Sequence, residues 1–359
     1  MNRELQNMSE ESLQNLEEIV ETEFLTVEDI RNRLDVTEKG KIRQSIQNCK
    51  YALEHDPCLR GAICRNEMTC QIDIMKKMPW KRRGVHMTDT DMNNLALYLE
   101  KNYGLTSDRV IVKAIDIVAN ENSFHPILEY LESLKWDGIP RIQHMLTHFF
   151  GAEDIAYTGE VMKMHMMGAI RRLYEPGAKY DIMLCLVGGQ GTGKSTFFRY
   201  LAIKDDWFTD DMKRIDDKKV YEYLQGHWIV EMSEMNAVAN AKSIEETKSF
   251  LSRQKDIYRI PYERRAEDRY RQCVFCGTSN DLNFLPFDRT GNRRFAPVRV
   301  FLEKAETTIY ENEEESRACI IQAWAEAMEI YRSGDYLMTF SPEMEDHVKL
   351  LQRAFMPDD

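Results

Sequence analysis

No stretch of the 359 residues approaches the roughly 18 consecutive apolar positions of a membrane span, and the opening MNRELQNMSEES lacks the apolar core of a secretory signal. Neither a bilayer-crossing segment nor a leader is therefore expected. Low-complexity tracts and internal repeats are absent too, which argues against a disordered or fibrous chain. Positive charge is in deficit, with 48 Lys and Arg against 60 Asp and Glu and a formal charge of −12. A whole-surface polyanion binder is thereby excluded, so any nucleic-acid contact must come from a local basic patch. No Asn-Lys-x-Asp guanine signature occurs, which disfavours a GTPase. The eight cysteines, without secretory features, read as reduced thiols of a cytosol. His55, Cys58, Cys64 and Cys70 lack the tight Cys-x2-Cys spacing of a zinc knuckle. Cys273 and Cys276 have that spacing but lie in a strand-like run, where residues three apart face opposite sides, so buried thiols are the expectation.

What is present is a globular balance, 43% hydrophobic and 30% charged, of a length for two domains or three. Residues 1–40 begin with nine acids and no Lys or Arg between positions 4 and 29, which reads as a loosely attached, charged helical arm. Residues 41–177 read as a mainly helical domain with one small β element at 61–65 and 70–75. Within it 79–84 resembles a linker, Thr88-Asp89-Thr90-Asp91 opens a helix, and a Met-rich helix runs from Ile155 to Tyr174. After Lys179 short apolar strands (182–187, 228–230, 273–276) alternate with helices, the texture of an α/β core over 178–300. Residues 301–359 return to helix.

The strongest motif is Gly188-Gly189-Gln190-Gly191-Thr192-Gly193-Lys194-Ser195, a complete Gly-x4-Gly-Lys-Ser/Thr phosphate loop between an apolar strand and a helix that begins near Thr196. Its glycines let backbone N–H groups turn around a β-phosphate at a helix N-terminus. Lys194 then reaches the β- and γ-phosphates, and the Ser195 hydroxyl ligates Mg2+. A nucleoside triphosphate is the expected ligand. The strand ending in Glu231 supplies a carboxylate for the metal, and Glu234 is the candidate to orient water, or else an ordinary exposed acid. Asn280, after the strand 272–276, falls at the ligand edge of a parallel sheet, where it senses a γ-phosphate or satisfies its own turn. Arg293 and Arg294, beyond a turn, are candidates to stabilise transferring charge from a neighbouring subunit. Between the second and third strands Arg253, Lys255, Arg259, Arg264, Arg265, Arg269 and Arg271 interleave with Tyr258, Tyr262 and Tyr270. Composition alone leaves this tract open between a single-strand channel and a solvated ion-pair network.

These motifs, in this order, resemble the virulence-associated protein E family of phage and mobile-element ATPases, related to superfamily 3 helicases of the AAA+ group. The resemblance is carried by WDGIPRI (136–142), EPGAKYDIMLCLVGGQGTGKST (175–196), GHWIVEMSEM (226–235), DIYRIPYERR (256–265), FCGTSNDLNFLPFDRTGNRRFAPV (275–298) and AWAEAMEIYRSGD (323–335). It implies a P-loop NTPase core of AAA+/superfamily 3 type in which Lys194, Ser195, Glu231, Asn280 and one of Arg293 or Arg294 take the roles above. It also implies that 253–271 supplies a hairpin lining a DNA channel. The implied activity is an ATP-driven, Mg2+-dependent DNA translocase or helicase, working as a homo-oligomeric, hexameric ring on single-stranded DNA in the cytoplasm of a bacterial host. A primase is the implied replication partner. An ATP-switched initiator, loader or defence-related protein that binds without unwinding is the alternative, and a small-molecule kinase the third. The acid here is Glu with its companion three residues on, unlike AAA+ proteins generally.

Overall fold

In a computed structural model, described for residues 25–212, 220–233, 241–258, 267–285 and 292–356, the chain divides into two compact units at Pro126/Ile127. Helix α1 (Val27–Arg33) starts at a reciprocal cap, Thr26 and Asp29 each accepting from the other's backbone N–H. Ser45 caps α2 (Ile46–His55). Strands β1 (Ile63–Arg65) and β2 (Ile72–Ile74) pair antiparallel with Ile63 opposite Ile74. Thr88 and Asp91 repeat the reciprocal cap on α3 (Asp89–Tyr103), which ends at left-handed Gly104, and α4 (Asp108–Glu121) follows. Ile30, Leu53, Leu99, Tyr103, Ile111 and Val118 share one core.

Two expectations change here. From Leu25 the acidic arm is part of the fold, because Leu25, Ile30 and Leu34 are apolar positions that join this core; residues 1–24 lie outside the described part. The stretch 79–84 is no linker either, since Met78 and Trp80 pack into the same core and pin it.

The second unit opens with α5 (Pro126–Ser133), α6 (Met145–Phe150) and the long α7 (Ala156–Tyr174). Then come β3 (Met183–Val187), α8 (Lys194–Leu201), β4 (Phe208–Thr209), α9 (Val220–Leu224), β5 (Ile229–Met232) and α10 (Ala241–Leu251). A two-stranded ribbon, β6 (Lys255–Tyr258) and β7 (Glu267–Tyr270), precedes β8 (Val274–Ser279) and β9 (Phe295–Arg299). Helices α11 (Glu313–Ser333) and α12 (Pro342–Arg353) close the described chain.

Five strands form a parallel sheet in the order β4-β5-β8-β3-β9. Every residue of β3, β5 and β8 is buried, as expected where helices cover both faces. The unit boundary falls at 126, not at 177, because α7, buried on most of its surface, packs on α6, α11, β3 and β8 within one unit. Arg172 in α7 donates to Cys273 O (2.7 Å) and Tyr180 O (2.6 Å), and Trp228 donates through Nε1 to Ala169 O (3.1 Å). Trp324 of α11 packs on Trp228 at 4.4 Å between ring centroids and donates to Leu201 O (2.9 Å). Cys273 and Cys276 are buried free thiols. Among the described residues no helix is long and apolar enough to cross a membrane, and no group of three His, Cys, Asp or Glu is placed to hold a metal.

Candidate active site

The loop 188–193 joins the C-terminal end of β3 to α8. Gly191 (φ 77°) and Gly193 (φ 84°) adopt the left-handed conformation, which only glycine takes without strain. At Gly193, the N-cap of α8, a Cβ would also strike Ile309. The first backbone N–H groups of α8 are thus left facing the loop, beside the positive end of the helix. Lys194 is buried, and its ammonium donates to Gly188 O (2.8 Å), Gly189 O (2.7 Å), Thr192 Oγ1 (3.2 Å) and Asn280 Oδ1 (3.1 Å). Burial lowers its pKa, against a smaller opposing pull from Glu231.

Glu231 sits on β5 beside β8, fully buried. Its Oε1 accepts from Ser195 Oγ and from Thr278 Oγ1, each at 2.7 Å. Its Oε2 is buried without a partner. Burial raises its pKa, Asp210 adds to the rise, and the bonds from Thr278 and Ser195 oppose it. An orphaned carboxylate oxygen next to a serine hydroxyl fits a hard divalent cation, which prefers oxygen ligands and would hold the acid ionised.

Four of the expected residues, Lys194, Ser195, Glu231 and Asn280, are therefore brought together at the C-terminal ends of β3, β5 and β8. Arg293 and Arg294 are not with them. They precede β9, whose Phe295 is level with Met183 at the start of β3, so they lie at the opposite edge of the sheet. Arg294 Nε donates to Asp181 Oδ2 (3.0 Å) and Ser252 Oγ (2.8 Å). Arg293 is exposed and has no hydrogen bond or ion pair among the described residues. Glu234 lies outside the described residues, as do Arg259, Arg264 and Arg265.

The basic tract divides. Lys255 pairs with Asp268 across the ribbon, and Arg253 lies over the Phe250 ring at 5.6 Å. Arg269, half-buried, faces Asp256 in the register. Arg271 departs from the expected DNA contact. It is 3% exposed, forked onto Asp256 at 2.7 and 3.0 Å, with its guanidinium 4.3 Å above Phe250. It anchors the ribbon from inside and no ligand can reach it.

Sequence reading missed Thr278, although the polar run Thr278-Ser279-Asn280 at a strand end signals it. It also missed Tyr310, which had no signal. That ring is 56% exposed beside the loop, its hydroxyl accepting from Thr196 Oγ1 at 3.1 Å.

The family model for the virulence-associated protein E-like domain matches residues 131–357. No curated protein matches the chain. An A-form apo structure of the NrS-1 C-terminal region shares 13% identity at a TM-score of 0.48, over 80% of this chain and 72% of that one. A second A-form apo structure, of residues 305–718, shares 14% at 0.45, over 82% of this chain and 71% of that one.

Proposed function

The chain belongs to the virulence-associated protein E-like family, and from that premise we propose that it is an ATPase acting on DNA in the replication of a phage or mobile element. The reading takes the second unit as a P-loop NTPase core of the AAA+/superfamily 3 kind. One observation carries it: a left-handed glycine loop, a buried lysine, a serine–glutamate pair and a strand-end asparagine converge at one edge of a parallel sheet.

The backbone N–H groups at the start of α8 receive the β-phosphate of ATP. Lys194 exchanges its bonds to Gly188 O and Gly189 O for phosphate oxygens, which regain for the ammonium what burial takes from it. Asn280, whose Oδ1 accepts from the lysine, reports whether a γ-phosphate is present. Ser195 and Glu231 would hold Mg2+, which would supply positive charge against the charge developing on the phosphates. Thr278 fixes the Glu231 carboxylate so that Oε2 stays aimed. Glu234 orients the attacking water. DNA is met by the ribbon β6–β7 and its connection, with Arg264 and Arg265 there, while subunits assemble into a ring.

ATP hydrolysis by the full chain, with and without single-stranded DNA, tests this. Wild type is expected to hydrolyse ATP faster with DNA, and Lys194→Ala and Glu231→Gln to lose about a hundredfold or more in rate. Strand displacement that survives Lys194→Ala overturns the site. Phosphorylation of a small molecule without DNA stimulation makes the chain a kinase. DNA binding gated by ATP with no strand displacement makes it an initiator or loader.

A further inference from the structure

Between Asp73 and Asp89 the first unit carries Lys76, Lys77, Lys81, Arg82 and Arg83 and no acid. The fold makes this stretch a braced loop. Ile74 N–H donates to Val85 O (3.0 Å) and Met87 N–H to Ile72 O (2.8 Å), so residues 85–87 run back along β2 and 75–84 close the turn. Arg82 braces it from inside, donating through Nη1 to Ile74 O (3.2 Å), Nη2 to Val85 O (3.0 Å) and Nε to Asp91 Oδ1 (2.9 Å). Trp80 Nε1 donates to the same Asp91 oxygen at 2.9 Å. Burial alone would raise the pKa of Asp91, but bonds from Trp80, Thr88 and Arg82 outweigh it and hold the carboxyl at about 2, so the brace stays charged.

With Arg82 turned inward and Lys76 tied to Arg60 O, three cations remain. Lys77, Lys81 and Arg83 are exposed and have no hydrogen bond or ion pair among the described residues. Elsewhere in the unit, Lys50 is held by Glu54 and Glu121, and Arg65 by Asp116. Three cations on a loop fixed from within present a preorganised positive ridge on an acidic chain. A polyanion of regular spacing is what such a ridge fits, because the backbone need not be ordered on binding.

We propose that this loop is a second DNA contact, holding the phosphate backbone without sequence preference, separate from the ribbon β6–β7. The choice of DNA as the polyanion rests on the function proposed above; the braced ridge does not.

Fluorescence anisotropy of the full chain without nucleotide, titrated into labelled mixed-sequence DNA at stepped salt, tests it. Single-strand and duplex probes are the two arms. Lys77→Ala/Lys81→Ala/Arg83→Ala is expected to weaken binding about tenfold or more at low salt on at least one probe, and to flatten the salt slope by about 2. Lys77→Arg/Lys81→Arg/Arg83→Lys is expected to bind as wild type. Lys39→Ala/Lys101→Ala/Lys113→Ala removes the same charge from other exposed positions of the unit and is expected to stay within about twofold. Arg264→Ala/Arg265→Ala, measured alongside, isolates the ribbon, so loss there alone speaks to that site only. Affinity and slope unchanged in the loop variant on both probes overturn the proposal, and so does an equal loss in the control triple. DNA-free ATP hydrolysis and thermal melting are expected to be unaltered in the loop variants, since these side chains are exposed and carry no hydrogen bond or ion pair among the described residues.

Discussion

Tyr310 ties the segment after β9 to the phosphate loop. Its hydroxyl meets Thr196, 114 positions away in the chain, and its ring stands 56% exposed beside the phosphate loop. No spacing rule links two such positions, because the contact is made by the path of the chain after β9, and the acidic surroundings of 303–315 hide it. If the loop binds ATP as proposed, an exposed ring beside it would offer a platform for the base or ribose. Base–aromatic stacking contributes about 1–3 kcal/mol, so Tyr310→Ala is expected to raise KM for ATP about tenfold with kcat little changed, the mark of an interaction made equally in ground and transition states. Tyr310→Phe is expected to retain most of the affinity. A fall in kcat at unchanged KM would assign the tyrosine to chemistry instead. By contrast Lys194, Ser195, Glu231 and Asn280 were legible, because each lies at a strand end or in a glycine pattern whose conformation is local. Thr278, the donor that fixes Glu231, belongs with them in retrospect.

Helix α7 shows what an element's sequence can and cannot carry. Its Met-rich run is apolar except for a stripe carrying Glu160, Lys163 and Arg171, and such a helix is buried on most of its surface. That much is legible. Which surface buries it is not, since methionine fits many partners, and here the helix packs on α6 and α11 as well as on β3 and β8, all within one unit. The same element holds His165, fully buried with neither ring nitrogen hydrogen-bonded. Burial lowers its pKa to about 4, against about 6.5 in the unfolded chain. Between those values the unfolded chain binds a proton that the folded one excludes. Stability is therefore full above about pH 6.5 and falls as pH drops toward 4, by about 2 kcal/mol at pH 5. Glu231, whose pKa is raised, acts in the opposite sense, so the comparison must be between variants. Denaturant unfolding at pH 7 and pH 5 is expected to lose about 2 kcal/mol less between the two in His165→Leu than in wild type. Equal losses would show that the imidazole does not report burial. The ribbon teaches a related lesson about charge. Seven cations against four acids left the tract open between a DNA channel and an ion-pair network, and within the ribbon Arg271 is paired with Asp256 in the interior and Lys255 with Asp268 at the surface.

At the scale of the whole molecule, the sheet itself separates the two arginines from the site they are proposed to serve. Phe295 is level with Met183, and the phosphate loop begins at Gly188, so at about 3.3 Å per residue the arginines lie some 20 Å from the loop along the strands. No side chain spans that distance, and within one subunit neither can meet a γ-phosphate. The proposed ring supplies the missing geometry, because a neighbouring copy can set this edge against the loop edge of the next. The two arginines are not equal candidates. Arg294 is held by Asp181 and Ser252 and closes its own subunit, whereas Arg293 is exposed with no such bond. Arg293→Ala is accordingly expected to abolish ATP hydrolysis while leaving thermal stability near wild type, and Arg294→Ala to lower Tm by leaving Asp181 without its cation. Mixing Arg293→Ala subunits with Lys194→Ala subunits is the decisive arm. Each mutant is inactive alone, but in a random equal mixture about a quarter of the interfaces join an intact loop to an intact Arg293, so activity is expected to reappear in proportion. Mixing Arg294→Ala with Lys194→Ala is expected to add nothing beyond what Arg294→Ala retains by itself. If no activity returns in the first mixture although the subunits co-assemble, Arg293 does not act across an interface.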